Sequence, residues 1–145
     1  PNFIIRIIAN DETVDGNNCG RLHYEGGPNI DGDGAYYNTI VIGTQCWMKE
    51  NLKTTRYNNG DPILNVTEDG AWSALTTGAY CWYNNDATTN KNIYGALYNW
   101  YTASTATLCP AGWHVPSEPE WTILTTYLGG LSTSGGKMTW YLSWI

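Results

Sequence analysis

The chain has 145 residues, with 7 basic and 13 acidic side chains and a formal net charge of −6. So few cations argue against nucleic acid or anionic lipid as a partner, because there is little positive charge to neutralise phosphates. The longest apolar run, residues 3–9, is interrupted by Arg6. It is far shorter than the ~20 residues that a membrane span requires, so we expect no membrane insertion.

The composition favours an extracellular or outer cell-surface location. Charged residues make up 14% of the chain, against ~25% in an average domain, and the chain has 8 Trp and 11 Tyr. A surface of Asn, Thr, Tyr and Gly uses neutral hydrogen-bonding groups where an intracellular protein uses Lys and Glu. Four cysteines in such a chain indicate disulfides rather than reactive thiols.

The first half of the sequence predicts strands separated by turns. Residues 2–9 are apolar and β-branched and predict a strand. Residues 10–34 are rich in Gly, Asn and Asp and predict a loop-rich lead-in, with at most a short strand at 21–24. Residues 36–42 and 45–48 flank Gly43-Thr44, which predicts a β-hairpin.

The second half predicts helices as well as strands. A short helix is expected over 67–75, capped by Thr67 or Asp69 and with Trp72 on its inner face. An aromatic strand at 79–83, with Trp82 in the core, and a polar loop at 84–92 are expected to follow. Apolar residues at helical spacing predict a further helix over 93–101. The clearest helix begins after Ser117, a good N-cap with Glu120 three residues later, and ends at Gly129-Gly130.

Three segments together resemble one bacterial domain family. They are Ile42-Gly-Thr-Gln-Cys-Trp-Met-Lys-Glu-Asn-Leu-Lys-Thr-Thr55, Tyr94-Gly-Ala-Leu-Tyr-Asn-Trp100 and Leu108-Cys-Pro-Ala-Gly-Trp-His-Val-Pro-Ser117. Their order and spacing are similar to those of the Fibrobacter succinogenes major paralogous domain, over roughly residues 30–138. The resemblance implies an α+β, C-type-lectin-like fold with two short helices, antiparallel strands and long loops. It divides the chain into a lead-in, 1–29, and a domain, 30–145.

The resemblance also implies an incomplete C-terminal half. Family domains continue with Gly-rich strands and a late cysteine. Here only residues 139–145 follow the region of resemblance, which ends near residue 138. A sheet that lacks strands exposes an edge that another strand can pair with. We expect the apolar N-terminal strand to fill that edge, within the molecule or in a neighbouring copy, through Phe3, Ile4, Ile5, Ile7 and Ile8.

The cysteine pairing is open among the full pairings that four cysteines allow. Cys46 and Cys81 each precede a tryptophan at the start of an aromatic strand, and we favour a bridge between them. In the resembling family Cys109 pairs with the late cysteine that is absent here, so we pair it with Cys19. The alternatives for Cys109 are a free thiol or a bond to another chain.

No motif in the sequence predicts catalysis, a metal or a cofactor. His114 lacks a recognisable nucleophile and orienting carboxylate, so we expect a packed or capping residue. The Asp31-Gly-Asp33-Gly segment lacks the third ligand and final Glu of a calcium loop, and it predicts a tight turn. Calcium at another site stays open, because C-type-lectin-like folds sometimes bind it.

Aromatic residues beside Asn and Asp suit carbohydrate, because a sugar face stacks on a ring while its hydroxyls need short polar partners. The alternative for these segments is ordinary turn chemistry. The candidate ligand-binding residues are Tyr57, Asn58, Tyr83, Asn84, Asn85 and Asp86.

From these features we expect a non-enzymatic, secreted or cell-surface structural or adhesive module of a bacterium. Its expected partner is another copy of itself, through strand addition into an oligomer or filament. The alternatives are a domain that binds a glycan or a cell-surface protein, and a phage or virion protein that recognises a receptor.

Overall fold

A computed structural model describes Phe3–Ile4, Ile8–Ala9 and residues 31–142. Of the two N-terminal strands, and of Trp140 and Leu142, it describes the backbone alone. Within this part of the chain, two four-stranded sheets and five helices form a mixed α+β structure. The predicted α+β class is therefore confirmed.

The first sheet, the hairpin sheet, is built on the predicted β-hairpin. Strands β3 (Thr39–Ile42) and β4 (Gln45–Met48) pair antiparallel around Gly43, which adopts a positive φ of 65°. The remaining strands are β2 (Ile8–Ala9) and β8 (Trp113–His114), in the order β3-β4-β2-β8. The hairpin prediction is confirmed, and β2 lies in the interior of the sheet.

The second sheet, the mixed sheet, has the order β1-β7-β6-β5. Its strands are β1 (Phe3–Ile4), β5 (Leu64–Asn65), β6 (Ala79–Cys81) and β7 (Leu97–Tyr98). Strands β5 and β6 are parallel, which corrects the prediction of antiparallel strands throughout. A parallel pair needs a crossover connection, and the chain between these two strands supplies it.

The N-terminal segment pairs within its own chain. Phe3 and Ile4 pair with β7, and Ile8 pairs with both β4 and β8. The described residues of this segment therefore form two short strands in two different sheets. That they fill an edge left by an incomplete C-terminal half stays a prediction. Ile5 and Ile7, like Cys19 and the predicted strand at 21–24, lie outside the described residues.

The described residues form five helices, where the resemblance implies two and the residue pattern predicts three. The helices are α1 (Asp69–Ser73), α2 (Ala87–Tyr94), α3 (Trp100–Ala103), α4 (Glu118–Tyr127) and α5 (Leu131–Leu142). Helix α5 was not predicted, because its paired Gly135 and Gly136 each lower helix propensity by about 1 kcal/mol relative to alanine.

The predicted helix over 93–101 is wrong, and so is the predicted loop over 84–92. Helix α2 occupies most of the supposed loop, and the Asp86 side chain caps it by accepting from the Thr89 backbone N–H at 3.1 Å. The helix ends at Gly95, which has a φ of 71°. A Cβ there would lie 2.5 Å from the Leu52 carbonyl oxygen. Beyond Gly95 the chain turns into β7, because Tyr98 is fully buried in the core.

The two sheets share one hydrophobic core. The hairpin sheet contributes Met48 and Trp113 to it, and the mixed sheet contributes Tyr80 and Tyr98. Burial of this kind contributes roughly 1.5–3 kcal/mol for each large apolar side chain. The sheets therefore hold each other in place through side chains on their facing surfaces.

A smaller core cluster lies between the hairpin and helix α4. Successive side chains of a strand point to opposite faces of the sheet. Trp47 therefore lies on the face opposite Cys46 and Met48, and it packs with Leu124 and Leu128. The rings of Trp47 and Trp121 lie 4.9 Å apart. The predicted start of α4 is confirmed, since Ser117 and Glu120 form a capping box.

Both predicted disulfides are wrong. Cys81 and Cys109 are buried free thiols, and each of the two predicted pairs, Cys46–Cys81 and Cys19–Cys109, needs one of them. Cys46 is disulfide-bonded, but neither of the other two described cysteines is its partner. Cys109 packs in the larger core cluster, where a cysteine acts as a small hydrophobic side chain.

Candidate functional site

A groove opens at one end of the mixed sheet, between helix α1 and the turn that follows β6. Its volume is about 400 Å³. We call it the Trp72 groove, and its lining residues are Val66, Thr67, Asp69, Trp72, Cys81, Trp82, Asn84, Asn85 and Leu97. The parallel pairing of β5 with β6 builds it, because Val66 donates its backbone N–H to the Tyr80 carbonyl at 3.0 Å.

The floor of the groove is rigid. Trp82 is 9% exposed, and its ring meets the ring of Tyr80 edge to face, with centroids 5.3 Å apart. The ammonium of Lys91 on α2 lies 5.4 Å from the centre of the Trp82 ring, within the range of a cation–π contact. These two contacts fix the orientation of the indole.

One wall is helix α1, which carries Trp72. The helix has no buried residue, and Glu68 at its N-cap forms no capping hydrogen bond through its side chain. This corrects the prediction that Thr67 or Asp69 caps it. Trp72 is partly buried, in agreement with its predicted inward position, and it lines the groove.

The opposite wall is a 3₁₀ turn over Tyr83–Asn85. Asn84 and Asn85 adopt positive φ values of 52° and 55°, a left-handed conformation that asparagine tolerates better than most residues. The Asn85 amide donates to the Thr67 carbonyl at 3.1 Å, and the Asn90 amide donates to the Tyr83 carbonyl at 2.9 Å. The turn is thus fastened to both sides of the groove.

The structure divides the predicted ligand-binding residues. Asn84 and Asn85 line the groove. Tyr83 is 47% exposed beside it, with its ring centre 4.9 Å from that of Tyr94. Asp86 is engaged as the cap of α2, and its hydrogen bond with Thr89 lowers its pKa. We therefore retain the two asparagines as candidate ligand contacts and assign Asp86 a structural role.

Tyr57 and Asn58 are placed elsewhere and belong to a structural turn. The Tyr57 side chain packs against the larger core cluster, and its backbone N–H donates to the Asp61 carbonyl at 2.9 Å. The Asn58 amide donates to the Cys109 carbonyl at 2.9 Å. Neither residue lines the groove, and their role as ligand contacts stays a prediction.

Sequence reasoning missed the aromatic half of the groove. Trp72 was expected on the inner face of a helix and Trp82 in the core, and both descriptions hold in part. The available signal was the position of Trp72 on a short helix that precedes an aromatic strand and an Asn-rich turn. The parallel β5–β6 pairing that joins these segments is a non-local contact, which local patterns do not reveal.

The groove contains one acidic side chain and one thiol. Asp69 is the charged side chain among the lining residues, which include no cation. Burial raises the pKa of Cys81, so its thiol stays protonated and is a poor nucleophile. Burial likewise raises the pKa of Cys109 to about 12.

His114 forms a capping network rather than a catalytic one. Its Nε2 lies 2.7 Å from Glu120 Oε1, while the Ser117 hydroxyl donates to Glu120 Oε2 at 2.6 Å. Burial acts to raise the pKa of Glu120, but the hydrogen bonds from Ser117 and His114 lower it overall. Serine and histidine both bond to the carboxylate, so this histidine does not activate this serine.

The Asp31–Gly34 segment forms the predicted tight turn. The Gly34 backbone N–H donates to the Asp31 carbonyl at 2.9 Å. The Asp31 carboxylate accepts from the backbone N–H groups of Asp33 and Ala35 at 3.0 and 2.9 Å. Across the part of the chain that the structure describes, no three His, Cys, Asp or Glu side chains form a potential metal site.

Comparison with known proteins places most of the chain in one family. The family model of the Fibrobacter succinogenes major domain matches residues 40–143. No curated protein and no solved structure gives a significant match. Among the described helices, none is long and apolar enough to cross a membrane.

Proposed function

The chain belongs to the Fibrobacter succinogenes major domain family, and we propose that it is a non-enzymatic adhesive module of a secreted or cell-surface bacterial protein. The observation that carries the proposal is the Trp72 groove. It combines a fixed indole floor, a second tryptophan on its wall and two asparagines held by a fastened turn. Apolar walls with a few oriented polar groups are typical of small-ligand sites.

The chemistry around the groove supports binding without turnover. The cysteine in the groove is protonated, and the Asp69 carboxylate has no second carboxylate among the lining residues. Glycoside hydrolysis normally needs a pair of such groups. We therefore expect the groove to hold a ligand and release it unchanged.

A ligand screen with matched variants tests this binding role. Amide and indole NMR spectra of the chain are recorded with neutral glycans, acidic glycans and peptides. We expect a saturable response in the native chain that Trp72→Ala removes. Tyr127→Ala changes an exposed aromatic residue on α4 and serves as the control that retains the response. A saturable response that survives Trp72→Ala, or none from any ligand class, would contradict the proposal.

Self-assembly by strand addition is a second candidate, favoured by the position of β2. Ile8 pairs with Trp47 on one side and His114 on the other, so removing this strand would open one edge of β4 and leave β8 without a partner among the described strands. The equivalent strand of another copy can make the same pairings, as in domain swapping. Such exchange would produce an oligomer or filament without any new surface.

Light scattering over a wide concentration range tests the exchange. We expect mass to rise with concentration, and Ile8→Pro to abolish the rise, because proline removes a backbone donor from an interior strand. A molar mass equal to that of the monomer at every concentration would contradict the assembly hypothesis. Since Ile8→Pro also weakens the fold, the native chain alone decides that outcome.

A further inference from the structure

We infer that the Trp72 groove accepts the apolar face of a neutral hexopyranose, with Trp72 as the stacking platform and the Asn84 amide as a hydrogen-bonding partner for its hydroxyls. The inference rests on the proposed binding role and adds the class of ligand. It follows from four properties of the groove: its aromatic surface, its uncommitted polar atoms, its charge and its size.

The aromatic surface is supplied by Trp72. Its indole lines the groove and is only partly buried. No hydrogen bond joins its ring N–H to another described residue. A pyranose ring presents C–H groups on one face, and such a face packs well on the electron-rich face of an indole. A partly exposed indole in a groove therefore suits the apolar face of a sugar ring.

Three polar side chains in the groove have unused hydrogen-bonding capacity. These are the Asn84 amide, the Thr67 hydroxyl and the Asp69 carboxylate, which the structure records without a side-chain hydrogen bond to any described residue. An amide both donates and accepts, and an ionised carboxylate accepts from up to two hydroxyls. Sugar hydroxyls, which also donate and accept, complement this set without needing a formal charge.

The position of Asn84 makes this capacity usable. Its backbone is held at a positive φ of 52° within a turn whose neighbouring Tyr83 and Asn85 are both hydrogen-bonded to other elements. Because the backbone of the turn is already held in place, binding through this side chain requires no further ordering of the loop. The hydrogen-bonded turn over Tyr83–Asn85 is therefore the wall that carries the Asn84 amide.

The charge of the groove selects a neutral sugar. Asp69 is its charged lining residue, and the whole chain carries a net charge of −6. An uronic or sialic acid would place a second carboxylate beside the first, with no cation from the lining to offset the repulsion. The volume of about 400 Å³ lies near the lower end of the range for ligand pockets and suits a single sugar unit.

An NMR titration with matched sugars tests the inference. The neutral probes are the methyl β-D-glycopyranosides of glucose, galactose and mannose, and the charged probe is methyl β-D-glucuronide. We expect at least one neutral probe to shift the Trp72 indole and Asn84 amide signals saturably, with millimolar affinity. The glucuronide should bind roughly tenfold more weakly than the neutral probe. Asp69→Asn should reduce this difference in affinity, because it removes the carboxylate.

Variants separate stacking from a general loss of structure. Trp72→Ala should weaken binding of the neutral probe by roughly tenfold or more, while Trp72→Phe, which keeps an aromatic face, should retain part of it. Tyr127→Ala should leave binding unchanged. The remaining amide signals of each variant show whether the fold is intact, and a variant that loses its native spectrum is replaced by Asn84→Ala.

The outcomes distinguish failure of this inference from failure of the binding role. If a peptide or an acidic glycan binds the groove and no neutral sugar does, the inference is overturned and the binding role stands. If neutral sugars bind with equal affinity to Trp72→Ala and the native chain, stacking on Trp72 is overturned. If no ligand class binds, both the inference and the proposed function are overturned.

Discussion

Helix α4 packs on the hairpin sheet, whereas helix α1 lines the Trp72 groove, and the hydrogen bonding at the start of the two helices differs. In α4 the Ser117–Glu120 capping box provides hydrogen-bonding partners for the first turn, and Glu120 also contacts His114. Leu124 of the same helix is fully buried. In α1 no residue is buried, and Glu68 forms no capping bond through its side chain.

This difference separates a structural role from a binding role. Polar groups that are paired inside the protein stabilise the fold and have little left to offer a ligand. Groups left unpaired at the wall of a groove contribute little to folding and are available to a partner. We therefore expect substitutions near α4 to change stability and substitutions near α1 to change binding.

The largest expected effect is that of Leu124→Ala, which removes a fully buried side chain from the cluster with Trp47 and Leu128. A leucine-to-alanine change in a core costs about 2–5 kcal/mol. Urea denaturation should show that loss in the free energy of unfolding. An effect below about 1 kcal/mol would mean that α4 does not anchor the hairpin sheet as described.

A matched pair of substitutions at the two helix starts sharpens the comparison. Glu120→Gln weakens the capping box and the contact with His114, and we expect it to cost about 1 kcal/mol. Glu68→Gln at the start of α1 removes no side-chain capping bond, so it should leave stability unchanged within error. Equal effects in urea denaturation would contradict the contrast between the helices.

The smallest expected effect is a pH dependence that belongs to the α4 end of the molecule. The pKa of Glu120 is lowered from its ordinary value of 4.5, so its contribution to stability is present above that value. It is lost as the pH falls through the lower pKa of the folded state. Denaturation curves at pH 7 and at successively lower pH should show this loss in the native chain.

Glu120→Gln supplies the control for that measurement. The variant has no carboxyl group at this position to titrate, so its stability should fall less steeply below pH 4.5 than that of the native chain. Identical slopes would show that Glu120 is not the group responsible.

Local patterns were sufficient where structure depends on local contacts. The α4 boundaries follow from Ser117 and Glu120 at one end and Gly129 at the other, because caps act within a single turn. The hairpin around Gly43 was predicted for the same reason. Both features need only neighbours in sequence.

The failures lie where distant contacts decide. Leu97 has helical spacing with Ile93 and Tyr101, yet Leu97 and Tyr98 form a strand because Tyr98 fills the core between the sheets. The predicted bridge between Cys81 and Cys46 rested on their similar positions before a tryptophan. In the structure Cys81 is instead a buried free thiol. Tertiary packing outweighed local preference in both cases.

The candidate site was half predicted for the same reason. Asn84 and Asn85 stood out because Asn-rich turns beside aromatics are visible in sequence. Trp72 did not stand out as a ligand contact, because its position opposite those asparagines depends on the pairing of β5 with β6. Tyr57 and Asn58 share the same residue types as the turn but not its place in the fold.

The most direct test of the account is which signals move when a neutral hexopyranoside is titrated into the intact chain. The account predicts saturable shifts centred on Trp72, Thr67 and Asn84, with the signals of α4 unchanged. Saturable shifts centred on α4, with the groove signals unchanged, would contradict the central claim that this groove is the binding site. Shifts at the groove that persist in Trp72→Ala would contradict stacking on Trp72.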